Sequence, residues 1–260
     1  MEESARILNV AQEAAKEAGK YLLGRLGNIK EVSRKRGITD LVTDVDKGSE
    51  KIIIDRIKKS FPEHSILAEE SGEHEAKGEV RWVIDPLDGT TNYAHCFPAF
   101  CVSIGVVIDG VVKVGVVYDP SRDELFTATE GRGAMLNKKP IKVSSVSTVQ
   151  ESLVATGFGY NVDEKMSNIG YFKVLLEKAQ AVRRPGSAAL DLINVACGRL
   201  DGFWELGLAP WDTAAGQLIV KEAGGTVTTM EGAPFDIYIK GIVATNSVIH
   251  DEMLSLLKGE

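Results

Sequence analysis

The chain has 260 residues, a formal net charge of −7 and a pI of about 5.3. Its 44% hydrophobic and 26% charged residues are typical of a globular protein, large enough for one large domain or two closely packed halves. The acidic balance disfavours a general nucleic-acid or anionic-membrane surface. No apolar stretch approaches the roughly 20 residues that a membrane-spanning helix needs.

Cysteine usage and the N-terminus favour a cytoplasmic protein. The cysteines Cys96, Cys101 and Cys197 are odd in number and too few for a disulfide framework. No Cys-x-x-Cys or histidine pair indicates zinc. The N-terminus lacks the basic and apolar regions of a signal peptide, so we expect a reducing compartment.

Hydrophobic periodicity predicts the elements of the first half. An apolar helical face runs from Ile7 to Leu22, and a second helix is predicted after Asp46. Asp109-Gly110 is a hairpin-turn signal. Strands are predicted over 65–68, 80–84, 101–108, 111–118 and 124–129.

A second half is predicted to begin near residue 147, dividing the chain into 1–146 and 147–260. Here strands and helices alternate, whereas the first half is rich in antiparallel strands, so the class is α/β (α+β). The predicted strands are 152–156, 182–184, 201–205, 226–229 and 242–245, and the predicted helices are 165–180, 187–197, 212–223 and 247–258.

The most informative motif runs from Trp82 to Asn92, with the sequence WVIDPLDGTTN. Pro86 lacks an N–H group, so we expect a strand to end there, leaving Asp85 and Asp88 at its end. Carboxylates at such a position suit Mg²⁺, and the backbone N–H groups of the Gly-Thr-Thr turn suit phosphate oxygens. The alternative is a capped turn with solvated aspartates. His95, nearby, is interpreted as a loop residue.

Two further clusters carry acidic residues. Asp212 precedes a helical pattern that ends at Gly224-Gly225, and an N-cap is its ordinary explanation. Glu69 and Glu70 follow an apolar strand, where an acidic pair usually forms a solvated loop.

Together these clusters resemble the inositol monophosphatase family, which belongs to a wider group of Mg²⁺-dependent, lithium-sensitive sugar and nucleotide phosphatases. The resemblance extends from about Asp40 to Asn246, with every family ligand position present. The segments that carry it are Glu69-Glu70-Ser71, Asp85 to Thr90, Trp211-Asp212, Asp40 to Asp46 (DLVTDVD), Gly131 to Ala134 (GRGA), Gly186 to Ala189 (GSAA) and Glu205.

The resemblance implies a layered α-β-α-β-α sandwich with two to three Mg²⁺ ions in a cleft between the halves. It also implies a homodimer, and a basic loop over 28–40 that includes Lys35. The implied metal ligands are Glu69, Asp85, the carbonyl of Leu87, Asp88 and Asp212, with Asp85 bridging two ions.

For catalysis, the resemblance implies that Thr90, oriented by Asp46, helps to deprotonate a metal-activated water, with Glu69 and Glu70 beside it. Without the resemblance, Thr90 would be interpreted as a turn residue and Asp46 as a helix cap. The implied substrate-binding residues are Asp88, Gly89, Thr90, Gly186, Ser187, Ala188 and Glu205; for Glu205 a buried structural role is the alternative.

The implied activity is hydrolysis of a phosphate monoester, first of all myo-inositol 1-phosphate. Fructose 1,6-bisphosphate, histidinol phosphate and 3′-phosphoadenosine 5′-phosphate are alternative substrates, because the motifs bind phosphate and metal while the leaving group varies. A second phosphate on the substrate could meet Arg183 or Arg184, although solvation of both is the favoured interpretation. A regulator that binds RNA polymerase or RNA is the non-enzymatic alternative, disfavoured by the acidic charge and the complete ligand set.

Overall fold

The computed structural model describes residues 2–34, 41–76, 78–159 and 161–259. Lys35 and Asp40, which the sequence motifs include, lie outside the described residues. The helices are α1 (Glu2–Arg25), α2 (Asp44–Ser60), α3 (Thr90–Ala94), α4 (Val162–Lys178), α5 (Ala188–Ala196), α6 (Pro210–Glu222) and α7 (His250–Lys258), with a 3₁₀ turn at Val149–Glu151. In the described part of the chain, no helix is both long and apolar enough to cross a membrane.

The strands form one small and two larger sheets. They are β1 (Val32–Arg34), β2 (Leu41–Thr43), β3 (Ser65–Ala68), β4 (Gly72–His74), β5 (Val80–Asp88), β6 (Cys101–Ile108), β7 (Val111–Asp119), β8 (Glu124–Thr129), β9 (Ala134–Leu136), β10 (Lys139–Pro140), β11 (Leu153–Thr156), β12 (Ala181–Arg183), β13 (Gly202–Leu206), β14 (Thr226–Thr228) and β15 (Gly241–Thr245). The eight-stranded sheet has the order β10-β9-β8-β7-β6-β5-β3-β4, and the five-stranded sheet has the order β12-β11-β13-β15-β14.

The two larger sheets and the helices form five layers. Helices α1 and α2 pack on one face of the eight-stranded sheet, and α6 packs on the other face. Helix α5 contacts both α6 and the five-stranded sheet, whose outer side is covered by α4 and α7. This arrangement confirms the predicted α-β-α-β-α sandwich. One apolar cluster joins Val83 of the first half to Leu192 and Ala244 of the second, so the predicted halves share a core.

Sequence prediction was wrong at two positions that matter for the site. Strand β5 does not end at Pro86 but continues to Asp88, and its pairing with β6 is irregular between Asp85 and Asp88. Since proline cannot donate a ladder hydrogen bond, the strand bulges here instead of stopping. Asp212 is also not an N-cap: α6 begins at Pro210 after Ala209, and Asp212 accepts a hydrogen bond from the Ala209 N–H at 2.7 Å.

A pair of glycines positions helix α6 on the eight-stranded sheet. Gly105 of β6 and Gly115 of β7 lie opposite each other in register. A Cβ atom on Gly105 would lie 2.6 Å from the Ala214 Cβ, and one on Gly115 would lie 2.7 Å from the Ala215 carbonyl oxygen. Both approaches are shorter than van der Waals contact, so only glycine allows α6, and with it Asp212, to come this close.

We expect Gly115→Ala to destabilise the protein by about 1–3 kcal/mol, since the added methyl group meets backbone atoms that cannot rotate away. Urea unfolding measures the effect. Gly170→Ala is the control, because Gly170 lies inside α4 with no atom within 4 Å of an added Cβ. The control should gain about 0.5–1 kcal/mol from helix propensity. Equal stability of the two variants would show that the close approach is unimportant.

Candidate active site

A cleft of about 540 Å³ lies where the end of β5, the start of α3 and the start of α6 meet. Its wall includes the predicted residues Glu69, Asp85, Leu87, Asp88, Gly89, Thr90, Gly186, Ser187, Ala188, Glu205 and Asp212. Asp46 and Glu70 are not part of this wall. The cleft thus brings together most of the residues that the sequence motifs predicted.

Three carboxylates form the acidic centre of the cleft. Asp85, Asp88 and Asp212 each present one oxygen, and these oxygens lie within 4.8 Å of one another. The bulge in β5 directs Asp85 and Asp88 into the same space, and the Leu87 N–H donates to Asp85 Oδ1 at 3.0 Å. Clustered carboxylate oxygens of this kind suit a hard divalent cation such as Mg²⁺.

The pKa values of the carboxyl groups in this centre also indicate a cation site. Burial, together with the nearby charges of Glu69, Asp88 and Asp212, raises the pKa of Asp85 well above its usual range. Burial raises the pKa of Asp88 to about 6, although hydrogen bonds from Ser187 and Ala189 oppose this rise. Like charges held together in a buried site are unfavourable unless a proton or a cation neutralises them. The residues present therefore fit a divalent metal site.

Asp88 is fixed by the N-terminus of α5. Its Oδ2 accepts hydrogen bonds from the Ser187 hydroxyl at 2.6 Å and from the Ala189 N–H at 2.7 Å. The same Ser187 hydroxyl oxygen accepts from the Leu190 N–H, so Ser187 is also the N-cap of α5. One carboxylate oxygen is thereby occupied, and the other can face the cleft. The predicted contact of the Ser187 side chain with substrate stays a prediction.

The predicted pair Thr90 and Asp46 lies in direct contact. The Thr90 hydroxyl is 2.9 Å from Asp46 Oδ1 and 3.1 Å from the Leu87 carbonyl oxygen. Asp46 Oδ2 accepts from the Thr43 N–H at 2.9 Å, which completes a capping box at the start of α2. Burial raises the pKa of Asp46, while the hydrogen bonds from Thr43 and Thr90 lower it. Asp46 therefore contacts Thr90, whereas the helix-cap interpretation of Asp46 is wrong, because the N-cap is Thr43 and Asp46 closes the capping box from the third helical position. The catalytic role of the pair stays a prediction.

Glu69 and Glu70 follow β3 as predicted, but they face different surroundings. Glu69 lines the cleft, and its charge contributes to the raised pKa of Asp85. The Glu70 N–H donates to Oε2 of Glu50 at 2.8 Å. Glu50 is 4% exposed, and the sequence motifs did not predict it, although it shares the inward face of α2 with Ile53 and Ile57. The sequence signal that could have identified Glu50 is an acidic residue on an otherwise apolar helix face.

The wall of the cleft also includes Glu205 on β13, which is 7% exposed. Its carboxylate occupies space beside Gly157, where a Cβ atom would overlap with Oε2. Burial and the charges of Asp212 and Asp88 raise the pKa of Glu205, whereas Arg184 lowers it. A buried carboxyl group at this position can exchange hydrogen bonds with hydroxyl groups of a ligand.

The sequence patterns missed two other residues of this wall. Lys165 of α4 lines the cleft, and Asn92 donates to the carbonyl oxygens of Ala99 at 2.8 Å and Pro185 at 2.9 Å. Asn92 belongs to the Trp82–Asn92 motif, so the sequence could have placed it near the site. Lys165 lies in an ordinary helical pattern, which gives no signal of a functional role. His95 lines the cleft as well; its interpretation as a non-catalytic loop residue stays a prediction.

We expect Ser187→Ala to weaken Mg²⁺ binding by about tenfold, because residues that orient a metal ligand contribute to affinity on this scale. The measurement is the dissociation constant for Mg²⁺, obtained by calorimetric titration of the metal-free protein. Ser187→Thr, which retains the hydroxyl group, is the control and should bind Mg²⁺ nearly as the original chain does. Unchanged affinity in Ser187→Ala would show that the hydrogen bond to Asp88 does not support the metal site.

Comparison with known proteins agrees with this geometry. The family model described as the inositol monophosphatase family matches residues 3–259. The inositol-1-monophosphatase of Synechocystis is 48% identical over 96% of this chain and 88% of its own, and the Nus factor SuhB of Escherichia coli is 45% identical over 98% and 96%. The solved inositol monophosphatase of Anabaena superposes with a TM-score of 0.88 at 48% identity, covering 99% of this chain and 97% of its own. The chain therefore belongs to the inositol monophosphatase family, a family of metal-dependent phosphatases that hydrolyse phosphate monoesters.

Proposed function

We propose that this protein is a Mg²⁺-dependent phosphatase that hydrolyses myo-inositol 1-phosphate to myo-inositol and phosphate. The observation that carries the proposal is the convergence of Asp85, Asp88 and Asp212 beside the hydrogen-bonded pair Thr90 and Asp46. The names of the relatives from Synechocystis and Anabaena support the substrate. A homodimer and a cytoplasmic location stay predictions.

In the proposed site, Asp85, Asp88 and Asp212 hold Mg²⁺, with Glu69 and the Leu87 carbonyl as further ligands. When bound, Mg²⁺ neutralises the phosphate, activates water and stabilises the leaving oxygen. The N–H groups of Gly89 and Thr90, at the start of α3, bind phosphate oxygens.

Thr90 and Asp46 form the proposed route for the proton of the attacking water. With its own proton directed at Asp46 Oδ1, the Thr90 oxygen keeps a lone pair for the water. Asp46 is a suitable acceptor, because burial raises its pKa above that of an ordinary aspartate. Two hydrogen bonds from Thr43 hold the carboxylate in this orientation.

Glu205 is the proposed contact for the polyol. It lines the same cleft as the acidic centre, and its buried carboxyl group suits ring hydroxyls. Ala188 and Gly186 are small residues in the wall of the same cleft, which leaves room for a ring.

The proposal is tested by measuring kcat/KM for a panel of phosphate monoesters in the presence of Mg²⁺. The panel should contain myo-inositol 1-phosphate, fructose 1,6-bisphosphate, histidinol phosphate and 3′-phosphoadenosine 5′-phosphate. The highest kcat/KM for myo-inositol 1-phosphate supports the proposal. A preference of tenfold or more for another ester would replace the substrate, and absence of turnover with every ester would remove the enzymatic proposal.

A substrate with a second anionic group, such as fructose 1,6-bisphosphate, is the second candidate. Lys165 and Arg184 both line the cleft, and the Lys165 side chain makes no ion pair or hydrogen bond with the described residues. A cation without a partner in a substrate cleft favours an anionic ligand group. Lys165→Met should then lower kcat/KM for a bisphosphate but not for a monophosphate; equal effects on both would exclude this role.

A regulatory role without catalysis rests on the name of the Nus factor SuhB from Escherichia coli. Against a direct RNA contact stands the net charge of −7. Affinity capture with purified RNA polymerase, run beside the phosphatase assay, separates the two readings: capture without turnover would favour the regulator.

A further inference from the structure

Helix α2 presents a buried polar face to the segments that carry the proposed metal ligands. Asp46, Ser49 and Glu50 lie at positions i, i+3 and i+4, so they share one face of the helix near its start. Ser49 is fully buried, and Glu50 is 4% exposed. Buried polar side chains are costly unless they are hydrogen-bonded, so the partners of this face show which parts of the fold it holds.

Ser49 binds the irregular part of β5. Its hydroxyl group donates to the Pro86 carbonyl oxygen at 2.7 Å. Pro86 lies in the irregular stretch of the β5–β6 register, so its carbonyl takes a side chain as a partner. The N–H of the same peptide group, that of Leu87, donates to Asp85 Oδ1 at 3.0 Å. Ser49 therefore holds one end of the peptide group whose other end orients Asp85.

Glu50 binds the turn after β3. Its Oε2 accepts a hydrogen bond from the Glu70 N–H at 2.8 Å. The peptide group that carries this N–H also carries the carbonyl of Glu69, whose side chain lines the cleft. The Glu69 N–H donates to the Ile84 carbonyl oxygen of β5 at 3.2 Å. The backbone of Glu69 is thus held on one side by β5 and on the other by Glu50.

We propose that Ser49 and Glu50 are positioning residues of the metal site, which hold the β5 bulge and the turn after β3 at the spacing that a divalent cation requires. This role rests on the proposed function, because it presupposes the Mg²⁺ site. Neither residue is among the described residues that line the cleft, so each acts through a metal ligand and not on the cation itself. Asp46, on the same face, also holds the start of α3 through its contact with Thr90 at 2.9 Å.

Mg²⁺ binding to the metal-free protein, measured by calorimetric titration, tests the role of Glu50. Glu50→Asp retains the carboxyl group but shortens the side chain, so the hydrogen bond to the Glu70 N–H is lost and the dissociation constant should rise by about tenfold. Glu50→Gln retains the length and a carbonyl oxygen, so its dissociation constant should stay within about twofold of the original value. An equal loss in both variants, the reverse order, or no change in Glu50→Asp would overturn the assignment of Glu50.

Ser49→Ala removes the hydroxyl group that anchors Pro86 and should also raise the dissociation constant for Mg²⁺ by about tenfold. Ile57→Val is the control, since Ile57 lies on the same buried face about two helical turns beyond Glu50. It leaves a small cavity, so it should lower the urea midpoint measured in EDTA and leave Mg²⁺ affinity unchanged. Unchanged affinity in Ser49→Ala would overturn the role of Ser49. Equal weakening by Ile57→Val would overturn the proposal for both residues, because lost packing alone would then explain the results.

Failure of the Mg²⁺ site and failure of this positioning role are distinguishable. If the original chain binds no Mg²⁺, both the metal site and its positioning by α2 are wrong. If the original chain binds Mg²⁺ and Ser49→Ala and Glu50→Asp bind it equally well, only the positioning role is overturned. None of these outcomes depends on turnover, so the choice of substrate is tested separately.

Discussion

Replacing Asp85 by Asn should abolish most phosphatase activity while leaving the fold intact. Asp85 lies at the centre of the acidic cluster, 2% exposed and close to both Asp88 and Asp212. The amide is neutral and has one oxygen in place of two, so it would hold a divalent cation far less well than the carboxylate, and the loss should be at least about 10²–10³-fold. Steady-state kinetics at saturating Mg²⁺ measure it, and near-original turnover would falsify the assignment of Asp85 as a metal ligand.

The same substitution makes a second expectation about the metal-free protein. Glu69, Asp88 and Asp212 all disfavour the charged form of Asp85, so a neutral residue removes repulsion. Thermal unfolding in EDTA should therefore show Asp85→Asn to be at least as stable as the original chain. Asp55→Asn is the matched control, since Asp55 is an exposed partner of Lys51 and should alter neither activity nor stability appreciably. A clear loss of stability in Asp85→Asn would indicate a structural role.

Removal of the Thr90 hydroxyl should lower kcat by about 10²-fold or more, the usual contribution of a group that transfers a proton in the transition state. Asp46→Asn should have a similar effect, since an amide cannot accept the proton. If the two residues act as one unit, the double variant should cost much less than the sum of the single losses. Additive losses would assign separate roles, such as phosphate binding by Thr90 and helix capping by Asp46.

Two controls separate catalysis from folding in this experiment. Thr90→Ser retains the hydroxyl group and should retain most of kcat. Asp46→Asn also alters the capping box of α2, which contributes about 1 kcal/mol. Urea unfolding of each variant shows whether the loss of activity exceeds the loss of folded protein.

The acidic centre was predictable because its residues lie in short motifs with a local physical meaning. Asp85 and Asp88 follow an apolar strand, and Asp212 starts a helix, so each could be placed at the end of an element from spacing alone. Residues such as Lys165 and Ser49 were not predictable as parts of the site, because each lies inside an ordinary helical pattern. Only tertiary packing decides which segment a helical side chain reaches.

The predicted ends of strands and helices were wrong where tertiary contacts outweighed a local sequence signal. Pro86 was expected to end a strand, but pairing with β6 continues beyond it through the bulge. The short strands β1, β2 and β4 were not predicted, since three residues are too few to establish a period of two. Asp212 correctly indicated that a helix begins nearby, but the N-cap is Ala209, three residues earlier, because Pro210 occupies the first helical position.

The glycine contact between α6 and the eight-stranded sheet has a consequence for synthesis of the protein. Strands β6 and β7 leave the ribosome long before α6, so the apolar face around Gly105 and Gly115 waits uncovered while the intervening residues are made. Exposed sheet faces of this kind invite misassembly and chaperone binding. A nascent chain that ends before Pro210 would lack helix α6, which covers this sheet face, and would also lack Asp212. Folding of α6 onto the sheet therefore buries the apolar face and completes the acidic centre in one step.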